Sequence, residues 1–192
     1  MNDIGFDTYQ KILSEAIEEL KENEFKDLYT QSENKQHVTE VTIDTEFELL
    51  FPDDYINSIT ERLALYTQLN EIKDDAALAV FVEQLKDRFG ELPDQAQDLI
   101  TSIQLKWIAA RMGLEKVIMK QNKLIGYFIA DQQSSFYSSP SFSKVLQSVQ
   151  SQPRKLKMKE KQTRSGLRLL LTADGIRTID QAYQIMSGIM QD

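Results

Sequence analysis

The chain has 192 residues, 41% of them apolar and 27% charged, a balance that suits a folded soluble protein and excludes a disordered one. It has no cysteine, which removes disulfides, thiolate metal sites and cysteine nucleophiles and fits a reducing, cytoplasmic setting. The net charge of −8 is unevenly spread: residues 1–100 hold 24 acids and 8 bases, and residues 101–192 hold 6 acids and 14 bases. The first half therefore suits a basic partner surface, and so acidic a chain is a poor stand-alone ligand for duplex DNA, with weak or no direct nucleic-acid binding expected. No apolar run approaches the roughly 18 residues of a membrane span, and no basic-then-apolar leader opens the chain, so neither is expected.

The first predicted element is a helix from about Phe6 to Lys26, with Phe6, Tyr9, Leu13, Ala16 or Ile17, and Leu20 on one face. Residues 29–40 are polar and unpatterned, so residues 1–40 read as a helical arm with its linker and 41–192 as the domain proper. Val41, Ile43, Phe47 and Leu49 alternate with acids, as a strand with an acidic outer face would, and Pro52-Asp53-Asp54 is a turn signal. Three helices are expected next. Ile56, Ile59, Leu63, Tyr66 and Leu69 line the first; Leu78, Phe81, Leu85 and Phe89 line the second, which starts near Asp74 and is capped by Gly90. Pro93 opens the third, which runs to about Met112 with Ala96, Leu99, Ile103, Trp107 and Ala110 in register and Trp107 packed into the core.

Beyond Leu114 the period falls to two. Residues 116–121 and 124–130 read as strands joined over Gln121-Asn122-Lys123, where asparagine tolerates a left-handed turn. Residues 132–143 read as a loop burying Phe136 and Tyr137, with Ser141 or Ser143 capping a short helix to about Gln150. From Arg154 to Lys161, Lys155, Lys157, Lys159 and Lys161 fall on one side of a strand and Leu156 and Met158 on the other; Leu167–Thr172 is a further strand. A last helix from Gly175 turns Ile176, Ile179, Tyr183, Met186 and Met190 inward. Helices in a block followed by strands predict an α+β fold: a helical arm, a helical half, then a small antiparallel sheet backed by helices.

Little here supports chemistry. The 7 glycines are scattered, so no phosphate-cradling loop, dinucleotide fingerprint or nucleophile elbow is present. His37, the single histidine, lies in a polar stretch and reads as a solvated loop residue, so no metal, cofactor or catalytic residue is expected. The pairs Asp53-Asp54 and Asp74-Asp75, and Glu83 with Asp87, read as caps and solvated faces. The basic strand at 154–164 offers a second reading, a nucleic-acid accessory domain with Phe142 or Tyr127 as stacking rings. Its bland alternative is an edge strand kept soluble by lysines.

Four segments in order carry a more specific signal: Ile4-Gly-Phe-Asp-Thr-Tyr-Gln-Lys-Ile-Leu-Ser-Glu-Ala-Ile, Leu50-Phe-Pro-Asp-Asp-Tyr-Ile, Glu61-Arg-Leu-Ala-Leu-Tyr and Leu85-Lys-Asp-Arg-Phe-Gly-Glu-Leu-Pro. Together they resemble the end of the bacterial transcription-repair coupling factor family. The resemblance implies a non-catalytic, autoinhibitory C-terminal domain of an ATP-driven DNA translocase that displaces stalled RNA polymerase and recruits UvrA. Such a domain folds back on a UvrB-like N-terminal module and hides its UvrA-binding surface. By the same resemblance, Glu83, Gln84, Asp87, Arg88 and Glu91 are the interface residues. The chain departs from the family pattern at Gln84, where many relatives have glutamate, and at Asn57, where proline often follows the Asp-Tyr-Ile run.

Overall fold

A computed structural model of the chain describes Val38, residues 40–163 and residues 166–191. The expected helix over 6–26 and His37 lie outside the described residues. The rest divides into two compact units: residues 48–100, and residues up to 47 together with those from 101 onward.

The first unit is helical. α1 (Ile59–Glu71) is capped by Ser58, whose side chain accepts the Glu61 N–H, and α2 (Asp75–Phe89) by Asp74, which accepts the Ala77 N–H at 2.8 Å. Gly90, at φ 86°, stops α2 where a residue with a β-carbon would be strained. α2 buries Leu78, Phe81 and Leu85 as the periodicity predicts. The face of α1 differs from expectation: Ile59 is 42% exposed, while Arg62, Leu65, Tyr66 and Leu69 are buried. Counting apolar residues alone overlooks an arginine that takes a core position because its charge is satisfied there.

α3 (Asp94–Arg111) begins in the first unit and continues into the second. It buries Leu105, Ile108 and Ala109, whereas Trp107 is only half-buried rather than packed in the core. The second unit is a five-stranded sheet in the order β1-β2-β3-β5-β4, formed by β1 (Thr42–Thr45), β2 (Leu114–Lys120), β3 (Lys123–Phe128), β4 (Leu156–Thr163) and β5 (Gly166–Asp174). The sheet is mixed, not purely antiparallel, because β1 joins β2 in parallel, Ile43 opposite Val117. Three helices intervene between these strands, a connection long enough to bring the chain back in the same direction. β1 is also shorter than the expected strand: at its end the Phe47 N–H turns back to Thr45 Oγ1. The hairpin of β2 and β3 turns through Gln121 and Asn122, both left-handed at φ 53° and 59°, the two-residue turn whose twist matches the strands.

Residues 135–138 form a 3-10 turn instead of an open loop, and α4 (Pro140–Ser151) is capped by Ser139 rather than by Ser141 or Ser143. Pro140 then occupies the first helical turn, where its missing N–H costs nothing. α5 (Ile179–Met190) starts at the Thr178 cap, four residues later than Gly175 suggests; Gly175 instead donates its N–H to Asn122. On one face of the sheet Ile43, Val117, Met119, Leu124, Leu171, Ala173 and Leu156 are all buried. The opposite face is more open. Ile118, Ile125, Tyr127 and Thr172 are half-buried there, Leu170 is buried, and the lysines of β4 are exposed.

Candidate functional site

Three of the four motif segments meet in the first unit through hydrogen bonds between them. Tyr66 accepts the Phe51 N–H at 3.0 Å and stacks on the Phe51 ring at 5.1 Å. Arg62 donates from Nη1 to the Ile56 carbonyl and meets the Asp53 carboxylate, each at 2.6 Å. Tyr55 donates to the Gly90 carbonyl at 3.0 Å, and its ring meets Phe89 edge-on at 5.8 Å. The turn at 51–56 is thus tied to α1 through Tyr66 and Arg62 and to the end of α2 through Tyr55. Burial, and then the Glu91 carboxylate, push the Tyr55 phenol above its ordinary value of 10.0. The protonated hydroxyl is the form that donates, so this contribution is whole below about pH 10 and is lost as pH rises through the raised folded value.

The lock makes a clear stability prediction. Arg62 is 6% exposed and Asp53 59%, so the ion pair itself is largely screened and contributes at most about 1 kcal/mol. Loss of the arginine instead leaves a buried carbonyl without its donor and opens a cavity in α1. Arg62→Ala should therefore cost about 3 kcal/mol, and Asp53→Ala less than about 1 kcal/mol. Denaturant titration of the two variants checks the order; equal losses would contradict it.

Through Tyr55 the turn also meets the end of α2, whose outer side is exposed. Glu83, Gln84, Asp87 and Arg88 are all exposed on that helix, and Glu91 is exposed just beyond Gly90. Glu83 and Asp87 stand four residues apart and so share a face, about one helical turn from each other. Arg88 is engaged within its own unit, paired with Glu61 of α1 and lying over the Phe89 ring at 4.8 Å. Glu91 is 3.9 Å from Lys86. Val80, 58% exposed, lies on the same outer side, and the sequence reading missed it. Its signal was available: it is an apolar residue off the Leu78–Phe81–Leu85 stripe. Beside this face an open groove of about 380 Å³ is lined by Ser58, Thr60, Glu61, Ala64, Gln68 and Arg88.

The other acid pairs take structural roles. Asp53 holds Arg62, Asp74 caps α2, and Asp75 lies in its first turn. Among the described residues no group of three or more His, Asp or Glu is arranged to hold a metal ion, and no helix is long and apolar enough to cross a membrane.

Residues 45–139, which include this whole arrangement, match the family model of the TRCF domain. The chain belongs to the TRCF domain family. It is 33% identical over 120 residues to the transcription-repair-coupling factor of Escherichia coli, covering 61% of this chain and 10% of that protein. It is 29% identical over 177 residues to the transcription-repair-coupling factor of Buchnera aphidicola, covering 92% of this chain and 20% of that protein. The chain thus spans between about a tenth and a fifth of the length of these curated relatives. The crystal structure of a C-terminal domain of transcription-repair coupling factor shares its fold, with a TM-score of 0.58 at 18% identity over 77% of this chain and 89% of that one.

Proposed function

We propose that this TRCF domain is a non-catalytic regulatory module of a transcription-repair coupling factor, which masks the UvrA-binding surface of a UvrB-like module in the same protein. The observation that carries this reading is the outer side of α2: Glu83 and Asp87 stand exposed beside Val80, on a helix whose end is tied by Tyr55 to the 51–56 turn. A braced acidic face with one apolar contact suits a basic protein surface. Its strength is also right for a clamp that opens. Exposed ion pairs contribute about 0.2–1 kcal/mol each, so several together hold a closed state by a few kcal/mol and still release it. Arg88 orders the face through Glu61 and Phe89, and Gln84 supplies a neutral hydrogen-bonding side chain between the two acids.

The experiment is direct binding of this chain to the separately prepared UvrB-like module of the same protein. A complex that weakens with added salt is expected; no complex at any salt concentration would defeat the reading. The chain by itself should also hydrolyse no ATP, because its sequence has no phosphate-cradling loop. Phosphate release equal to that of a mock preparation is the expected result, and an ATPase activity that follows the purified chain would contradict it.

A further inference from the structure

The basic strand that sequence reading singles out acquires a setting in the sheet. Side chains alternate along strands and paired residues share a face, so the register assigns each residue to a side. Lys157, Lys159 and Lys161 of the edge strand β4 lie opposite Thr172, Leu170 and Arg168 of β5, and Leu170 in turn lies opposite Tyr127 of β3, which pairs with Lys116 of β2. One row across this face therefore reads Lys116, Tyr127, Leu170, Lys159, in which Leu170 is buried at 6% exposure between the half-buried tyrosine and the exposed lysine. Ion pairs confirm the sidedness: Asp44 meets Lys120 at 2.6 Å, and Asp174 meets Lys157 at 3.7 Å and Lys123 at 4.0 Å. Seven bases occupy this face, at 116, 120, 123, 157, 159, 161 and 168, against the two aspartates, in a chain whose net charge is −8. Glu115 additionally reaches Arg168 at 2.5 Å from the bulge in β2. Among the described residues, Lys159 and Lys161 pair with no carboxylate.

We propose that this open sheet face binds single-stranded nucleic acid, without sequence preference. Alternate residues of a strand stand about 6.8 Å apart, so the β4 lysines form an evenly spaced cationic rail that one extended sugar-phosphate backbone can follow. Tyr127 lies two strands in from that rail, half-buried, where a base reaching inward from the backbone meets a ring. Thr172, Ile125 and Ile118 complete the floor in the next row. A single rail and a single ring fit one strand, not a duplex. Phe142, the other ring considered from sequence, is unavailable: it packs edge-on against Phe128 at 5.7 Å and Phe136 at 5.5 Å. An acidic protein segment would satisfy the same lysines but would have no use for the ring, and this distinguishes the two in a test.

The test is fluorescence anisotropy of a labelled 20-nucleotide oligothymidine with the full chain at 50 and 200 mM salt, with a duplex of equal length and polyglutamate as competitors. Micromolar binding is expected. With three phosphates neutralised the logarithmic salt slope should be near −2, roughly a fifteen- to twentyfold weakening across that range. Lys159→Glu/Lys161→Glu should weaken binding by more than tenfold and flatten the slope. Tyr127→Leu should weaken it roughly tenfold and leave the slope unchanged. Thermal melts of each variant confirm that it is folded. The proposal is overturned by no binding at 50 mM salt, by a duplex that competes equally, or by effective polyglutamate competition with Tyr127→Leu inert, which would mark an acidic-protein surface instead.

Discussion

Truncating Phe136 to alanine is expected to be among the most damaging single changes in the sheet-bearing unit, costing about 4 kcal/mol. Phe136 is 1% exposed and sits amid rings: Phe128 lies 6.2 Å away, Phe142 5.5 Å and Tyr137 5.6 Å. Beneath it is Gly113, which turns the chain out of α3 into β2 at φ 69° and leaves no room for a side chain, since a β-carbon there would overlap the Phe136 ring. Gly113→Ala should thus carry two penalties, about 1–2 kcal/mol for the left-handed backbone and a larger one for the collision. Only the collision depends on Phe136. In the Phe136→Ala background the same glycine substitution should cost about 1–2 kcal/mol, so the double variant is more stable than the sum of the single losses allows. Denaturant midpoints of the three variants decide this, and strict additivity would show that Phe136 does not close over Gly113.

Reversing Glu83 and Asp87 to lysine should do the opposite, changing function with little effect on stability. Both side chains are exposed, and Leu78, Phe81 and Leu85 carry the packing of α2, so the melting temperature should stay within what about 0.5 kcal/mol per site produces. In the full-length protein, on the docking proposed above, two attractions to a basic surface of the UvrB-like module would become repulsions. The closed state should loosen, and capture of UvrA should rise severalfold. Screening acts over about 8 Å at physiological salt, so added salt should partly reproduce the effect in the wild type and act less on the variant. A pull-down of UvrA by both proteins at two salt concentrations reads this out; capture unchanged by either would remove the α2 face from the clamp.

Where local physics decides, the sequence was legible. α2, with its Asp74 cap, its Leu78–Phe81–Leu85 stripe and its Gly90 stop, needs no distant partner to be recognised, and neither does the Gln121-Asn122 turn. Of the alternating positions Val41, Ile43, Phe47 and Leu49, all but the half-buried Phe47 are buried, but the alternation does not show that β1 pairs in parallel with β2, because pairing direction depends on where three intervening helices return the chain. Arg62 was missed for a related reason. Its burial is set by a carbonyl six residues earlier and a carboxylate nine residues earlier, partners that periodicity does not count. Phe136 was expected to be buried within its loop, whereas its role as the cover of Gly113 required the third dimension. On the outer side of α2, the exposure of Glu83 and Asp87 agrees with their reading as a solvated helical face, whereas the engagement of Arg88 by Glu61 depends on how α1 and α2 meet.

Masking is the central claim, and competition tests it most directly. UvrA bound to the isolated UvrB-like module should be displaced as this chain is added in trans, and the Glu83→Lys/Asp87→Lys variant should require a much higher concentration to do so. A ternary complex, in which UvrA and this chain occupy the module together with no loss of UvrA affinity, would contradict it.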